Sequence, residues 1–413
     1  MRLSRISLRR WQRGFPFISI ASFCSLRYNE PMKETAVKKR GFAAIFALCP
    51  AAHILALAGG AVVLLFLTLR TNKPLMSALS LHFVQPLHHA LAGLTARLPF
   101  SLAEWLYALV IAGTMVYIIC ELVLLFRRPG RLRRLYRFFA RLAALGLGVY
   151  ALFCLLWGVY YYGDDFIARS GLKQSEITVD DLALVTDWFA DRLNDYAAQV
   201  PRDADGLCRS DRGEVLARSP QLFREAARAY PCLDGPELPA KGMFFSKFMS
   251  LIDFTGFFCP FTAEANVNMD FPEGLFAATV AHELCHQRGV AKEQEANFVA
   301  VLASLHSGDP DYCYSACMLA YIHLGNALAA VDSAAHRQIY EKLSDEVLAD
   351  LRANSEYWAR FETPVREVTD AVYEGFLQSY GQTLGLRSYG ACVDLLVNYY
   401  APAAHALLTP WKS

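Results

Sequence analysis

The chain has 413 residues, is 54% hydrophobic and 19% charged, and carries a formal net charge of +1. A balance this close to neutral gives no electrostatic footprint for nucleic acid, so no nucleic-acid partner is expected. The apolar excess is gathered in the first 162 residues, which argues against a wholly soluble chain.

Residues 1–41 form a basic N-terminal segment with Arg2, Arg5, Arg9, Arg10, Arg13, Lys38, Lys39 and Arg40. In composition its first part could pass for a targeting segment. Met32 opens MKETAVKKRG, an ordinary start before a first span, so residues 1–31 read as an over-extended start or a poorly ordered tail. Three apolar runs follow, at about 42–69, 102–126 and 138–162, each long enough for the ~20 residues that a bilayer requires. Glu104 and Glu121 lie near the ends of the second, and Trp157 and a tyrosine cluster close the third at an interface-like position. A buried core helix is the soluble alternative, and three such runs so close together favour membrane spans. Between the second and third runs, RRPGRLRRLYR carries six arginines, whereas between the first and second only Arg70, Lys73 and Arg97 are basic. The positive-inside rule then puts the N-terminus and the arginine loop in the cytoplasm, and everything from residue 163 outside it.

Residues 163–413 change character. Helical periodicity predicts helices over 175–200 and 221–230, with a polar loop over 201–220. Residues 264–271 alternate as a strand does, and 262–268 is expected to be an edge strand beside the site, where substrate backbone could add to it. Glu264, Asn266 and Asn268 would share one face of it, touching substrate or bracing the site; an ordinary edge strand with a polar face is the plainer reading. Later helices are expected over 315–331, 333–354, 356–384 and 389–400. Seven cysteines lie in this region at scattered spacings. Disulfides are open to them outside the cytoplasm, without a recognisable framework. Cys313 and Cys317 read as core packing.

Residues 282–297 read HELCHQRGVAKEQEAN. The apolar stretch before them suits a buried helix, which puts His282 and His286 one turn apart on one face, where both imidazoles can reach one Zn²⁺. Glu283 points to the same space as a general base. Gly289 can end the helix in the left-handed conformation. A second helix fits 292–306, with Glu293 as third metal ligand and Asn297, one turn on, orienting a histidine. Glu295, about 200° round from Glu293, points elsewhere. Cys285 is expected to pack rather than ligate, and His306 is a weaker alternative ligand. Arg288 could meet a substrate carboxylate or pair with Glu293. Tyr312 or Tyr314 could stabilise an oxyanion, although core tyrosines are the plainer reading of both.

PFTAEANVN, AHELCHQRGVAKEQEANF, YSACMLAY and GLRSYGACVDLLVNYY resemble a bacterial family of uncharacterised membrane proteins, a domain of unknown function whose members look like zinc metallopeptidases. The resemblance runs from the first span to about residue 400. Glu293-x-x-x-Asn297 is also similar to the glutamate-ligand pattern of the gluzincins, with asparagine where many members have aspartate and a shorter gap after His286. The resemblance implies a mainly α fold: three N-terminal transmembrane helices, then an α+β gluzincin-like zincin domain with a small sheet and C-terminal helices. It implies a multi-pass protein of the bacterial plasma membrane. The expected activity is zinc-dependent hydrolysis of a peptide or protein substrate by zinc-activated water, with His282, His286 and Glu293 as ligands and Glu283 as base. A non-catalytic zinc-binding sensor or scaffold is the alternative. A transporter is disfavoured by the few charges inside the spans.

Overall fold

A computed structural model describes residues 42–380 and 389–408. The basic segment expected over 1–41 and the end of the helix expected over 356–384 lie outside the described residues. Helix α1 (Pro50–Leu69) opens with proline at a position that needs no N–H. Helices α2 (Leu102–Arg127) and α3 (Arg131–Phe153) follow; α3 continues through a π-helical turn, Cys154–Gly158, into Val159–Tyr162. α1 and α3 pack closely because their shared face is built of small residues. Ala52, Ala144 and Ala151 are buried there, and a Cβ on Gly59 would stand 3.1 Å from the Leu147 carbonyl. α2 leans away: only Ala103 and Glu104 of it are buried, while Leu109, Ile111 and Phe126 are exposed. Glu121 of α2 pairs with Arg134 and Arg141 of α3 at 3.4 and 3.3 Å.

The segment between α1 and α2, read from the sequence only as a weakly basic loop, is helical over Lys73–Leu79, Ser80–Val84 and Gln85–Thr95. Asn72 caps it, and prolines enter its first and last pieces. Its buried side, Met76, Val84, His88 and Ala92, faces the rest of the molecule. His88 Nε2 lies 3.1 Å from the Pro260 carbonyl oxygen.

Helix α4 (Val179–Ala197) starts at a capping box of Thr178 and Asp181 and buries Leu182, Val185, Phe189 and Leu193. Three short strands, β1 (Lys241–Gly242), β2 (Gly256–Cys259) and β3 (Glu264–Val267), form a sheet of order β1-β3-β2. β1 runs parallel and β2 antiparallel to β3. The strand expected at the edge is therefore the central one. All four β3 side chains are buried, and its polar members are bonded inside the fold, so the alternation that looked like a solvated face is not one.

Helices α5 (Phe276–Gln287), α6 (Glu293–Ser307) and α7 (Pro310–Val331) stack in the core. Among the described residues, α7 is the fourth helix, after α1, α2 and α3, that is long and apolar enough to cross a membrane. Most of its residues are buried against α4, α5 and α6, including Tyr312, Tyr314, Cys317 and Leu324. The helix expected over 333–354 is two, Ser333–Tyr340 and α8 (Asp345–Ala359), because Ser344 caps a new start. α9 (Pro364–Ser379) begins at a proline, and α10 (Tyr389–Leu408) returns Cys392, Leu395 and Leu396 to the core. The ten cysteines among the described residues are all free.

The expected boundary at residue 163 is bridged. Phe66 of α1 and Trp157, Tyr160 and Tyr161 of the α3 extension share an apolar cluster with Phe258, Ala263, Ala291 and Tyr380. Glu264 accepts from the amides of Leu102 and Ala103 at the start of α2, and Lys241 Nζ bridges Glu264, Thr95 O and Phe100 O.

Candidate metal centre

α5 is anchored by its apolar first turns, from Phe276 to Ala281, and by Ser315 Oγ, which accepts from Ala278 N at 2.8 Å. That places His282 and His286 one turn apart with Nε2 atoms 3.1 Å from each other. Gly289, at φ +75°, closes the helix, and Val290 N returns to Cys285 O at 3.1 Å. The same reversal brings the Val290 carbonyl to 2.7 Å from His286 Nδ1. A Cβ on Gly289 would meet Tyr160 at 2.7 Å, so the close approach needs glycine as well.

α6 then begins at Glu293, whose Oε2 lies 3.1 Å from His282 Nε2 and 3.8 Å from His286 Nε2. One turn on, Asn297 Oδ1 accepts from His282 Nδ1 at 2.8 Å. Both imidazoles thus donate through Nδ1 and turn Nε2 inward, the nitrogen that a metal would take in place of a proton. The three inward atoms lie within 4.8 Å of one another. Ligand bonds of 2.0–2.2 Å in a tetrahedral zinc site would separate such atoms by about 3.3 Å, so the donor set and its spacing fit zinc. Burial opposes charge on His286 and Glu293, yet mutual attraction wins: Glu293 holds the His286 imidazole up to about 9, and the histidines hold the Glu293 carboxyl well below its usual range.

Glu283 is buried beside the triad, and its Oε2 has no hydrogen-bond partner among the described residues. Burial pushes its carboxyl up to about 7. Gly256 of β2 covers it: a Cβ there would stand 2.7 Å from Glu283 Oε1. A cavity of about 440 Å³ opens over these groups. Its walls include Phe153, Trp157 and Tyr161 from α3 and its extension, and Phe257 and Phe258 from β2.

Tyr373 and Trp157 are site residues that the sequence reading missed. Tyr373 of α9 donates to Glu293 Oε1 at 2.9 Å, and Trp157 stands edge-on to His286 with centroids 5.7 Å apart. Neither is near the motif in the chain, and the only legible trace was the aromatic cluster at the end of the third apolar run.

The residues singled out earlier separate into two groups. His282, Glu283, His286, Glu293 and Asn297 converge. The β3 residues and Asn268 brace the sheet instead. Glu264 holds the start of α2, Asn266 Oδ1 accepts from Ser101 Oγ at 2.6 Å, and Asn268 Nδ2 donates to Ser250 Oγ and Phe254 O. Arg288 is turned away from Glu293, stacked 4.1 Å over the Phe223 ring with Nη1 on the Leu284 carbonyl. Tyr314 donates to Asp350 and Tyr312 to Val215 O, both inside the core. Cys285 donates to Ala296 O, joining α5 to α6, and Glu295 accepts from Phe166 N. His306 lies at the far end of α6 from Glu293, about 20 Å away along the helix.

The sequence model of one family, described as "Protein of unknown function (DUF3810)", matches residues 80–397. The chain belongs to this family. The DUF3810 match spans α2, α3, the sheet and every residue of the triad. No curated protein and no solved structure matches the chain.

Proposed function

We propose that this DUF3810 protein is a membrane-anchored zinc metallopeptidase whose catalytic domain lies outside the cytoplasm. The observation that carries the reading is the triad of His282 Nε2, His286 Nε2 and Glu293 Oε2 facing a cavity, with the unpartnered Glu283 carboxylate oxygen beside it. These three atoms would hold the metal. When bound, zinc supplies Lewis-acid chemistry, polarising a carbonyl and making water acidic. A structural zinc site would instead be closed by a fourth protein ligand.

The chain's own residues supply the rest. Glu283 takes the proton of the attacking water and delivers it to the leaving amine. Val290 O and Asn297 hold the two imidazoles by their Nδ1 protons, and Tyr373 holds Glu293 by its other oxygen. Substrate backbone would align on β2, whose side away from β3 has no strand partner among the described residues.

α1, α2 and α3 act as the spans. Their apolar faces stay exposed, whereas α7 is consumed by the protein core. The outer domain joins the Leu102 end of α2 and the Tyr162 end of α3, and the arginines between α2 and α3 lie at the opposite ends. Basic residues favour the cytoplasmic side, so the domain belongs to the other.

The test compares wild type with Glu283→Gln. Both should bind zinc, and the variant should lose about 10²–10⁴-fold in peptide cleavage. Equal cleavage by the two, or no cleavage of a broad peptide library by the zinc-loaded wild type, would overturn the assignment.

A further inference from the structure

We infer that the substrate is an apolar, aromatic-rich stretch of a membrane-inserted polypeptide, cut within a few residues of the outer bilayer surface. This rests on the peptidase reading and narrows it to a substrate class.

The first observation is height. α1 has 20 residues, about 30 Å at 1.5 Å per residue, which matches the hydrocarbon thickness. At its outer end Arg70 Nη1 donates to Tyr162 Oη at 2.7 Å, so Tyr162 marks the level where α1 leaves the hydrocarbon. Trp157 precedes Tyr162 by five residues on the same continuous helix, about 7 Å deeper. Its ring stands edge-on to His286 at 5.7 Å. The candidate metal triad therefore lies at or a few ångströms below the hydrocarbon boundary, not raised above it on a stalk.

The second is the lining. Phe153, Trp157 and Tyr161 lie on one face of α3 and its extension, at intervals of four, and form one wall of the cavity. That wall is the continuation of a span. Phe257, Phe258 and Phe376 face the same space. Besides Glu283 and Glu293, the charged lining groups are Asp253 and Asp370, and both lean on Arg366, at 2.9 and 3.7 Å. Large apolar side chains fit such walls; an acidic peptide would be desolvated there without a free cation among the described residues to meet it.

The third is the underside of the domain. Phe244, Phe245 and Phe248 are exposed beside β1, with Phe100 and Trp105 exposed at the start of α2. Glu104 fixes this arrangement by accepting from the amides of Phe244 and Phe245, and Trp105 packs edge-on against Phe245. The patch runs on into the exposed apolar face of α2, which includes Leu106 and Leu109. An aromatic patch continuous with a lipid-facing helix rests in the interface. The domain is thereby held down on the bilayer, and the cavity mouth meets chains that leave it.

The chemistry is a simple hydrolysis. Water adds across the C–N bond, one fragment gains a carboxylate, the other leaves as an amine, and no further reactant is consumed.

The experiment uses the full chain, zinc-loaded, in liposomes. The first probe is a synthetic peptide in which an apolar span of about 20 residues runs directly into a Phe/Leu-rich stretch. The second inserts a Gly/Ser spacer of about 20 residues between them, enough to lift the stretch roughly 25 Å. The third has no span. A photo-crosslinker in the stretch reports binding to Glu283→Gln, independently of cleavage by wild type. The expected result is cleavage and crosslinking of the first probe at least about tenfold above the other two, a discrimination worth one decade of affinity. Equal or better cleavage of the second or third probe overturns the substrate class and leaves the peptidase standing. Selective crosslinking without any cleavage by wild type overturns the peptidase and leaves recognition standing. No crosslinking above an unrelated span peptide overturns the inference.

Discussion

Gly256 has no room for a side chain, because Glu283 occupies the space into which a Cβ would project. The same Cβ would stand 2.8 Å from the Asn266 carbonyl oxygen, so backbone and the Glu283 carboxylate cannot both stay where they are. Gly256→Ala should lower kcat by about 10–100-fold, of the order lost when a positioned proton carrier is displaced. It should also lower stability by about 1–3 kcal/mol through overpacking. Its zinc content should match wild type, because all three ligand atoms lie on α5 and α6. Steady-state kinetics, thermal unfolding and metal analysis together check this. The residues that converge in the candidate centre were legible in the sequence for a local reason: His282, Glu283, His286, Glu293 and Asn297 fall within 16 residues on two consecutive helices, and helical periodicity fixes which share a face. Gly256 and Tyr373 were not legible, since their contacts with Glu283 and Glu293 exist only once β2 and α9 have folded over the motif.

At the level of elements, the packing of α1 on α3 depends on small residues at the crossing. Gly59→Val would drive two methyl groups into the Leu147–Gly148 backbone, where even a Cβ finds only 3.1 Å. In the bilayer proposed for these helices, lipid would supply no hydrophobic drive to hold them together by other means. The substitution should cost about 1–3 kcal/mol and lower the unfolding temperature in detergent, while Gly60→Val, at a position with open space, should be near neutral. Element type was read well where periodicity is strong, as in α4, α5 and α6. Placement, rather than type, is hard to read where one signal has two physical sources. α7 passes the same length and apolarity test as α1, α2 and α3, because hydropathy does not distinguish burial in protein from burial in lipid. β3 alternates polar and apolar residues, yet Glu264 and Asn266 face inward and are satisfied by Lys241, Ser101 and the start of α2. The π-helical turn Cys154–Gly158 had no sequence signal at all, although it sets the face on which Trp157 meets His286.

Over the whole molecule, α1, α2 and α3 and the residues after 163 are joined around the sheet. Lys241 and Glu264 are almost fully buried and lie 2.6 Å apart, and the remaining donors and acceptors of the pair tie β1 and β3 to residues 95–103. Lys241→Met leaves a buried carboxylate without its cation. The expected loss is about 3–5 kcal/mol of stability, read as an earlier unfolding transition in detergent. Zinc should stay bound in the folded protein, because the pair bonds no residue of the triad. Composition alone drew a line at residue 163. The contacts that cross it connect residues more than 100 positions apart and become visible only in three dimensions.

On the proposed reading, two imidazoles and a carboxylate are gathered to hold zinc. Metal analysis of the full chain purified in detergent, after zinc loading and removal of free ion, tests it most directly. The expected result is one zinc per chain in wild type and in Glu283→Gln, and loss of that zinc in His286→Ala. A metal-free wild type, or His286→Ala holding zinc as tightly as wild type, would contradict the account.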